Sequence, residues 1–398
     1  MKKSTTSFLL LLVLLCSTFL VSSCKDDEDE EQDSELKLDE NQVNSFLSNY
    51  SNIVYASYED SYNTAKLLDD AIKAFTQSPS QATLEAAKTA WIAAREPYGQ
   101  TESYRFYGGP IDGDEGVEGF INAWPLDESY IDYVEGNATT GIINNPTDFP
   151  TIDKQTLMDA NEQDGETNIS TGYHAIEFLL WGQDVTLGAG GGDRAFTDYT
   201  TAENAERRKT YLLTASSLLL DHLQTVLNEW TPNTAGNYRA SFENSSNPKS
   251  RLLDVLVGIS SLSKGELAGE RIFVALDEPD RENEHSCFSD NTDRDVVNNA
   301  LAVDNVYFGR YKRTDGSTIS GTSISDIFEL ADTEKTAALD AKMNETIVNV
   351  NAIQNPFETE MVEADGRARL QACVTSLTEQ ADMILELASL YGINIVLE

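Results

Sequence analysis

The stretch VNSFLSNYSNIV at residues 43–54 decides the fold class, because its apolar side chains recur at steps of three and four residues. Such steps place Val43, Leu47 and Tyr50 on one face of an α-helix, and that face has to be buried against other helices. Alternating apolar and polar residues, which would indicate strands, are scarce apart from a short apolar tail at Ile393–Leu397. The same helical period predicts a continuing or following helix at 58–75 and further helices at 80–98, 205–230, near 249–276, near 333–354 and near 359–391.

A proline between polar residues, Thr231-Pro232-Asn233, interrupts the helical pattern midway along the chain. The helices on its two sides form two sets of similar size. Packing each set around its own core is the simplest arrangement of this many amphipathic helices. We therefore predict an all-α fold of two helical-bundle domains, the N-terminal bundle over residues 40–232 and the C-terminal bundle over residues 233–398.

Two long stretches, residues 99–171 and 277–325, are rich in Gly, Asp and Tyr and carry no clear helical period. Segments of this length inside compact domains are usually functional or disordered. The first contains Trp124-Pro125-Leu126-Asp127 and many other aromatic residues, which favour a packed path over the surface of the bundle. We expect long, ordered loops at both places.

The amino terminus has the three-part layout of a secretory signal. Two lysines precede the uncharged apolar run Phe8–Leu15, and the tripeptide VSS then leads into Cys24. An aliphatic residue and two small residues before a cysteine match a lipobox, in which the cysteine thiol takes the lipid. A transmembrane anchor is the alternative, but Phe8–Val21 is short for a bilayer span of ~20 residues. We predict a signal peptide over residues 1–23 and a lipoprotein anchored by lipid (palmitate) on Cys24.

An acidic tether follows the lipidated cysteine. Residues 25–35 consist largely of Asp and Glu, and no apolar side chain occurs before Leu36. Like charges at this density repel and leave nothing to bury, so residues 24–39 are predicted to be disordered. The tether is either a plain solvated spacer or an address, since acidic runs at this place resemble the export signal of surface lipoproteins in some Gram-negative bacteria. We expect an outer-membrane lipoprotein on the cell surface, with a periplasm-facing location as the alternative.

Charge and cysteine content limit the classes of partner. A net charge of −39 repels nucleic acid and anionic lipid surfaces and concentrates cations, so nucleic-acid binding is excluded. Removal of the signal leaves Cys24, Cys287 and Cys373, which are too few for a disulfide scaffold or a thiolate metal site. Whether Cys287 pairs with Cys373 stays open. A free, buried Cys373 is favoured because it lies on an apolar helical stripe.

The most distinctive motif is GYHAIE at residues 172–177, which continues into FLLWG. Residues three apart on a helix are neighbours, so His174 and Glu177 present an imidazole and a carboxylate at one spot, as metal ligands or as an acid–base pair. Such a spacing is common and usually only solvated. Here the helix is otherwise apolar, and a charged pair on an apolar helix needs a partner or a role. His222, beside leucines on an amphipathic helix, is instead predicted to be a core or boundary residue.

Arg95, Tyr98 and Glu102 form a second group, since their offsets of three and seven place them on one helical face. Arg95 and Glu102 form either an interhelical ion pair or part of a site. A third group is GELAGER at residues 265–271, followed by ENEHSCFSDNT at 282–292. GELAGE shares its Gly, Ala and Glu positions with GYHAIE, with a leucine in place of the histidine, which indicates a faint internal repeat.

At these motifs the chain resembles the imelysin family, which includes iron-regulated lipoproteins. GxHxxE at residues 172–177 and ELAGERI…ENEHSCFSDNT at 266–292 carry the resemblance, and the helix of Trp91 and Arg95 fits it too, as does the Trp124–Asp127 loop. The resemblance spans roughly residues 40–391 and implies two helical bundles with the motif residues where they meet. It also implies either a metallopeptidase, with the motif His and Glu as metal ligands, or a protein of iron uptake.

The metal chemistry bears on that choice. A zinc peptidase typically needs three protein ligands, an open position and a general base, and the helical HExxH motif that supplies them is absent. His174 and Glu177 give at most two ligands, and oxygen-rich ligand sets suit iron, manganese or calcium better than zinc. A dinuclear site built with Glu282-x-x-His285 is a further alternative. Candidates for a third ligand are Glu102, Asp127, Glu284 and His285.

We therefore expect a membrane-anchored lipoprotein that binds a metal, with iron as the first candidate, and that works with a metal-uptake partner protein. One alternative is a zinc metallopeptidase in which Glu102 or Glu270 activates water, and another is a non-catalytic module that binds a protein or a glycan. In the metal-binding interpretation His174 and Glu177 coordinate the ion, Arg95 and Glu102 orient ligands or hold an anion, and Glu270, Arg271, Glu284, His285, Ser289 and Asp290 close the site.

Overall fold

A computed structural model describes residues 36–185 and 190–397. The predicted signal peptide, the predicted lipid attachment at Cys24 and the acidic run up to residue 35 lie outside the described residues. Residues 36–39 were expected to belong to the disordered tether, and this part of the prediction is wrong. The Leu36 N–H donates to the Leu390 carbonyl at 3.0 Å, and the Asp39 carboxylate caps the first helix by accepting the Asn41 N–H at 2.9 Å.

The described residues are predominantly helical, as predicted. The α-helices are α1 Glu40–Gln77, α2 Gln81–Gly99, α3 Glu118–Ile121, α4 Glu128–Ile131, α5 Gly141–Asn144, α6 Lys154–Ala160, α7 Gly172–Trp181, α8 Ala205–Trp230, α9 Tyr238–Glu243, α10 Pro248–Ser260, α11 Val274–Asp277, α12 Thr292–Tyr307, α13 Ile324–Glu329, α14 Thr333–Val350, α15 Phe357–Val362 and α16 Ala364–Ser389. Short 3₁₀ turns occupy Glu102–Tyr104, Phe196–Tyr199 and Arg281–Asn283, and a π-helical segment, Ser261–Phe273, joins α10 to α11. Strands β1 Arg310–Lys312 and β2 Thr318–Ser320 pair antiparallel.

The strongly periodic helices agree with their predicted positions. The apolar stripe that begins at residue 43 continues through one helix, α1. Ser80 caps α2, because its hydroxyl accepts the Thr83 N–H at 3.3 Å. The apolar tail at Ile393–Leu397 forms no strand. Within the described ranges, no helix combines the length and the apolar character that crossing a bilayer requires.

Helix α12 was missed, because it lies in the stretch 277–325 that was predicted to be a loop. Its sequence has no single apolar stripe, since Asp295, Asn298 and Asn299 are buried together with its valines and alanines. A helix that is buried on several sides among polar partners has no amphipathic period. The stretch 99–171 is packed as expected, with α3 to α6 as short turns of helix within it.

Helix α7 lies at the centre of the fold, and all ten of its residues are buried. It packs against α2, α3 and α8, while α12 packs against α2 and the π-helical segment. One hydrophobic core draws on residues from Val43 to Ile393, and a smaller cluster lies between Leu267 and Leu377. Residues from Leu36 onward form one compact unit. The predicted boundary near residue 232 and the internal duplication stay predictions.

Two smaller expectations concern single side chains. Cys287 and Cys373 are both buried and free, and Cys373 lies on the buried face of α16 as expected. His222 lies at the edge of the core, with its ring stacked on Phe120 at a centroid distance of 5.1 Å. It therefore has the structural role that its leucine neighbours predicted.

Candidate functional site

The glycine of the GxHxxE motif fixes where α7 begins. Gly172 has a φ of +85°, and a Cβ built at this position would lie 2.5 Å from the carbonyl oxygen of Ile121. Only glycine adopts this left-handed conformation without strain and tolerates so close a backbone. The first turn of α7 can therefore start directly against α3, which sets the depth of His174 and Glu177 in the protein.

His174 and Glu177 lie together, as their spacing predicted. The His174 Nδ1 and the Glu177 Oε2 are 2.9 Å apart, and both side chains are fully buried. The other carboxylate oxygen, Oε1, accepts hydrogen bonds from the Ser289 N–H at 2.9 Å and the Ser289 hydroxyl at 2.7 Å. Burial raises the pKa of Glu177 to about 8 and lowers the pKa of His174 well below its usual value. The imidazole of His174 is therefore neutral.

His285 lies directly beside His174, although 111 positions separate them in the sequence. The two ring centroids are 4.7 Å apart, with the rings at 77°, and the indole of Trp124 lies against both. The His285 Nδ1 contacts the Asp295 Oδ2 at 2.8 Å, and burial lowers the pKa of His285. Neither the His174 Nε2 nor the His285 Nε2 has a hydrogen-bond partner within the described residues.

The two histidines share one arrangement. In each, a carboxyl group lies against Nδ1 and leaves Nε2 buried without a partner. An imidazole that donates its Nδ1–H to a carboxylate presents the Nε2 lone pair, which is how most metal-binding histidines are oriented. Both oxygens of Glu177 are already engaged, by His174 and by Ser289. The geometry thus suits Glu177 as the group that orients His174, whereas the GxHxxE spacing predicted that it binds the metal directly.

Sequence reasoning missed Asp295, which connects the second imidazole to Arg95. The Asp295 carboxylate accepts from the Arg95 Nε at 3.3 Å and Nη2 at 2.9 Å, and from the Ser286 hydroxyl at 2.5 Å. Burial by itself raises the pKa of Asp295. The interactions with Arg95, and then with His285, outweigh burial and bring this pKa well below its usual value. The sequence offered one signal for Asp295. This carboxylate follows His285 by ten residues and lies three residues into a polar helix.

Arg95 and Glu102 do not form the ion pair that was one of the two alternatives for them. Helix α2 ends at Gly99, so Glu102 lies in a 3₁₀ turn and no longer shares a helical face with Arg95. Glu102 Oε2 accepts from Arg105 Nη1 and from Arg271 Nη2, each at 3.0 Å. Asn122 links the two clusters, because its amide oxygen accepts from Arg95 and its amide nitrogen donates to Glu102 Oε1 at 2.8 Å.

The pKa of Glu102 predicts how the protein unfolds in acid. Burial by itself raises this pKa, but the charges of Arg271 and Arg105 outweigh burial. They bring the pKa of Glu102 down to about 2, from 4.5 for an ordinary glutamate. A depressed carboxyl pKa stabilises the fold above pH 4.5, and this contribution, about 3 kcal/mol, disappears as the pH falls towards 2. We expect urea unfolding of the wild type to lose stability over this range more steeply than Glu102→Gln does. Equal slopes would contradict the assignment, and the exposed Glu206→Gln is the control.

A cavity of about 410 Å³ opens beside His285. Arg271 is buried in its wall, where it pairs with Glu102 and with Glu266 at 2.8 Å. Glu270 and Glu282 are exposed on its lining, so neither touches the pair of imidazoles from within the protein. Asp127 has a structural role, since its carboxylate caps α4 by accepting the Ser129 N–H at 2.9 Å. The cavity is lined by Arg105, Glu118, Asn122, Ala123, Trp124, Pro125, Glu162, Glu266, Glu270, Arg271, Val274, Glu282, Asn283 and His285.

Glu284 and Asp290 do not join the imidazoles. Asp290 lies instead with Asp184 and Glu358, whose candidate ligand oxygens all fall within 4.8 Å of one another. Across the described residues, this is the one group of three or more His, Cys, Asp or Glu side chains close enough to share an ion. The dinuclear arrangement with Glu282 is therefore not assembled. Of the predicted residues, Ser289 reaches the GxHxxE motif through Glu177, and His285 reaches it through His174.

Comparison with known proteins identifies the family and supports the fold. Residues 54–384 match the family model Imelysin, which is classed among the peptidases. Iron-regulated protein A from Synechococcus elongatus is 25% identical over 345 residues, which cover 83% of this chain and 82% of that protein.

Two crystal structures share the fold. One, described as an iron-regulated protein A precursor from Parabacteroides distasonis, has a TM-score of 0.68 at 20% identity and covers 90% of this chain and 97% of its own. The other is an imelysin-like protein from Psychrobacter arcticum, with a TM-score of 0.62 at 14% identity, covering 91% of this chain and 99% of its own. Because the family match extends over most of the sequence, and the predicted resemblance rests on the same residues, this protein belongs to the imelysin family.

Proposed function

We propose that this imelysin-family protein captures a metal ion, with iron as the first candidate, through the Nε2 atoms of His174 and His285. The observation that carries the proposal is the matched pair of buried imidazoles, with ring centroids 4.7 Å apart, each with a carboxyl group against Nδ1 and each without a partner at Nε2. A buried polar atom left unsatisfied costs about 1–3 kcal/mol. One ion bound between the rings satisfies both atoms at once.

The surroundings of the imidazoles favour a cation. The lining of the 410 Å³ cavity beside His285 contains five glutamates and two arginines, and the whole chain carries a net charge of −39. A cleft with an excess of one sign of charge raises the local concentration of the opposite ion. The nearest cations, Arg95 and Arg271, are each neutralised by a carboxylate, Asp295 and Glu102 respectively. They therefore do not repel an ion as unpaired guanidinium groups would.

The choice of iron rests on the relatives together with the donor set. Imidazole nitrogen suits iron, zinc, copper and nickel, so the two histidines alone do not separate these metals. The relative from Synechococcus elongatus is named for its iron regulation, which favours iron. Two protein nitrogens also leave several positions for oxygen ligands, a set that an octahedral ion accepts more readily than a tetrahedral zinc site.

We further propose that the lipid on Cys24 holds this site outside the cytoplasm, at the outer membrane, and that a metal-uptake protein is its partner. The lipobox before Cys24 and the acidic run after it support the anchoring and the surface location. Capture of iron near a membrane is useful only when another protein carries the ion across it. The acidic tether would let the bundle reach such a partner.

A zinc metallopeptidase is the second candidate, since the family model is classed among the peptidases. That reaction needs a carboxylate free to activate water beside the metal. Three donors from Arg105, Arg271 and Asn122 occupy Glu102, and its low pKa makes it a weak base. Glu270 is exposed on the cavity lining. Neither residue is placed to act with the two imidazoles, so we favour capture over cleavage.

The test is metal retention by the purified full chain after treatment with a chelator. Iron, zinc and manganese are offered separately, each with a large excess of calcium to occupy sites made of oxygen ligands alone. After removal of unbound ions, mass spectrometry should find about one iron per chain, and a peptide library should remain uncleaved. Retention of zinc together with zinc-dependent cleavage would favour the peptidase. If no metal were retained under any condition, both the metal-capture and the metallopeptidase hypotheses would be overturned. That result would favour a protein- or glycan-binding module.

A further inference from the structure

A second group of acidic side chains lies apart from the two histidines, and we propose that it binds a calcium ion. Asp184, Asp290 and Glu358 provide the ligands, and Glu284 lies buried beside them. The candidate ligand oxygens of the first three residues fall within 4.8 Å of one another. Two oxygens on opposite sides of one Ca²⁺, each about 2.3–2.6 Å from it, are about 5 Å apart. The group therefore has the span of a calcium coordination sphere.

The three ligands come from distant parts of the chain. Asp184 follows the end of α7, Asp290 precedes α12, and Glu358 lies in the first turn of α15. No local sequence motif brings them together, so the fold itself creates the group. An ion bound here would tie these three segments to one another.

The state of Asp290 and Glu284 is what points to a ligand. Asp290 is only 4% exposed and Glu284 is 0% exposed, and none of their four carboxylate oxygens has a hydrogen-bond partner within the described residues. The Arg281 Nη1 lies 3.6 Å from the Asp184 Oδ1, but Arg281 donates no hydrogen bond to Asp290 or Glu284. Buried carboxylates are normally paired, hydrogen-bonded or bound to a metal, because an isolated buried charge is very unfavourable.

The electrostatics agree with this crowding. Burial, followed by the charge of Glu358, raises the pKa of Glu284 to about 9 and that of Asp290 to about 7. Without a cation nearby, ionising both of these carboxyl groups is therefore unfavourable. A divalent ion would supply a compensating charge to Asp290 and Glu284.

The donor set indicates which ion binds. Carboxylate oxygens without imidazole or thiolate suit calcium, magnesium or manganese rather than iron, zinc or copper. Magnesium keeps several waters and is usually held by one or two carboxylates, whereas calcium accepts many carboxylate oxygens in a flexible geometry. Three carboxylates converging in a buried place, with a fourth beside them, therefore favour calcium.

A bound calcium would also stabilise the metal-capture site, because one loop serves both places. Residues 284–290 carry Glu284 and Asp290, and the same loop presents His285 to His174 and Ser289 to Glu177. Fixing the loop at Asp290 limits how far His285 and Ser289 can move. The calcium site does not itself depend on the proposed capture of iron.

The test is calorimetric titration of CaCl₂ into the chelator-treated full chain, with thermal unfolding in parallel. The wild type should bind one Ca²⁺ per chain, and its melting temperature should rise with calcium concentration. Asp290→Asn should weaken the affinity by at least about tenfold, the lower end of what removal of a group around a metal costs. Asparagine also tolerates the left-handed φ of 55° at this position.

A sign reversal separates a calcium ligand from a merely structural carboxylate. In chelator, Asp290→Asn should melt above the wild type, because it removes a buried charge that has no partner. Glu360→Gln is the matched control, since Glu360 lies on the same short helix as Glu358 but pairs with Arg369, and it should bind calcium normally. His174→Ala should bind calcium normally too, whatever becomes of iron binding. A wild type without calcium heat or a melting shift, or an Asp290→Asn protein that binds as tightly, would overturn the proposal.

Discussion

Asp295→Ala should lower the free energy of unfolding by about 3–5 kcal/mol, the range observed when one partner of a buried ion pair is removed. The reason is Arg95, which is fully buried and donates two hydrogen bonds to the Asp295 carboxylate. Without Asp295 that guanidinium charge stays buried with no opposite charge beside it. His285 and Ser286 lose their hydrogen-bond partner in the same change.

Urea unfolding followed by circular dichroism measures this loss. Asp293→Ala is the matched control, because Asp293 lies in the same first turn of α12 but is partly exposed. It should lower the free energy of unfolding by about 1 kcal/mol or less, at the scale of a carboxylate near a helix N-terminus. Similar losses in the two variants would show that the Arg95–Asp295 pair contributes nothing special to the fold.

His174→Ala and His285→Ala should each weaken iron binding by at least about 100-fold, beyond the 10- to 100-fold effect of a residue that only orients a ligand. Each substitution removes one of the two Nε2 atoms that we propose as ligands. Glu177→Gln keeps a polar side chain against the His174 Nδ1, so it should fall within the 10- to 100-fold range. Competition with a chromophoric chelator measures all three affinities.

The control for both variants is His222→Ala, because His222 is the remaining histidine of the chain and lies at the edge of the core against Phe120. It should bind iron like the wild type. If His285→Ala bound iron normally while His174→Ala did not, the paired-imidazole arrangement would be wrong and Glu177 would again be the better candidate ligand. Equal losses in all three histidine variants would indicate general damage to the fold.

The helices with one apolar stripe could be predicted from the sequence, and α8 agrees with the prediction at both ends. The pair His174–Glu177 was predictable for the same reason, since a helix fixes which residues lie one turn apart. Partners from distant segments were not predictable. Asp295 is 200 positions from Arg95, and nothing near either residue in the sequence indicates the other.

Two further errors have local causes. Glu102 was placed on the face of Arg95 because the helix was assumed to continue, whereas α2 ends at Gly99. Glu284 and His285 are consecutive and were assigned to one site, yet their side chains belong to different groups of residues. In a loop, neighbouring residues have no fixed angular offset, so sequence adjacency does not say which side chains meet.

The most direct test of the paired-imidazole site is anomalous diffraction at the iron edge from crystals of the iron-loaded protein. We predict one strong peak between the two rings, with His174 Nε2 and His285 Nε2 each at about 2.0–2.2 Å, near the usual metal–imidazole distance. Glu177 and Asp295 should remain on the Nδ1 atoms. A peak bonded to Glu177 and remote from His285, or iron found only among Asp184, Asp290 and Glu358, would contradict the account.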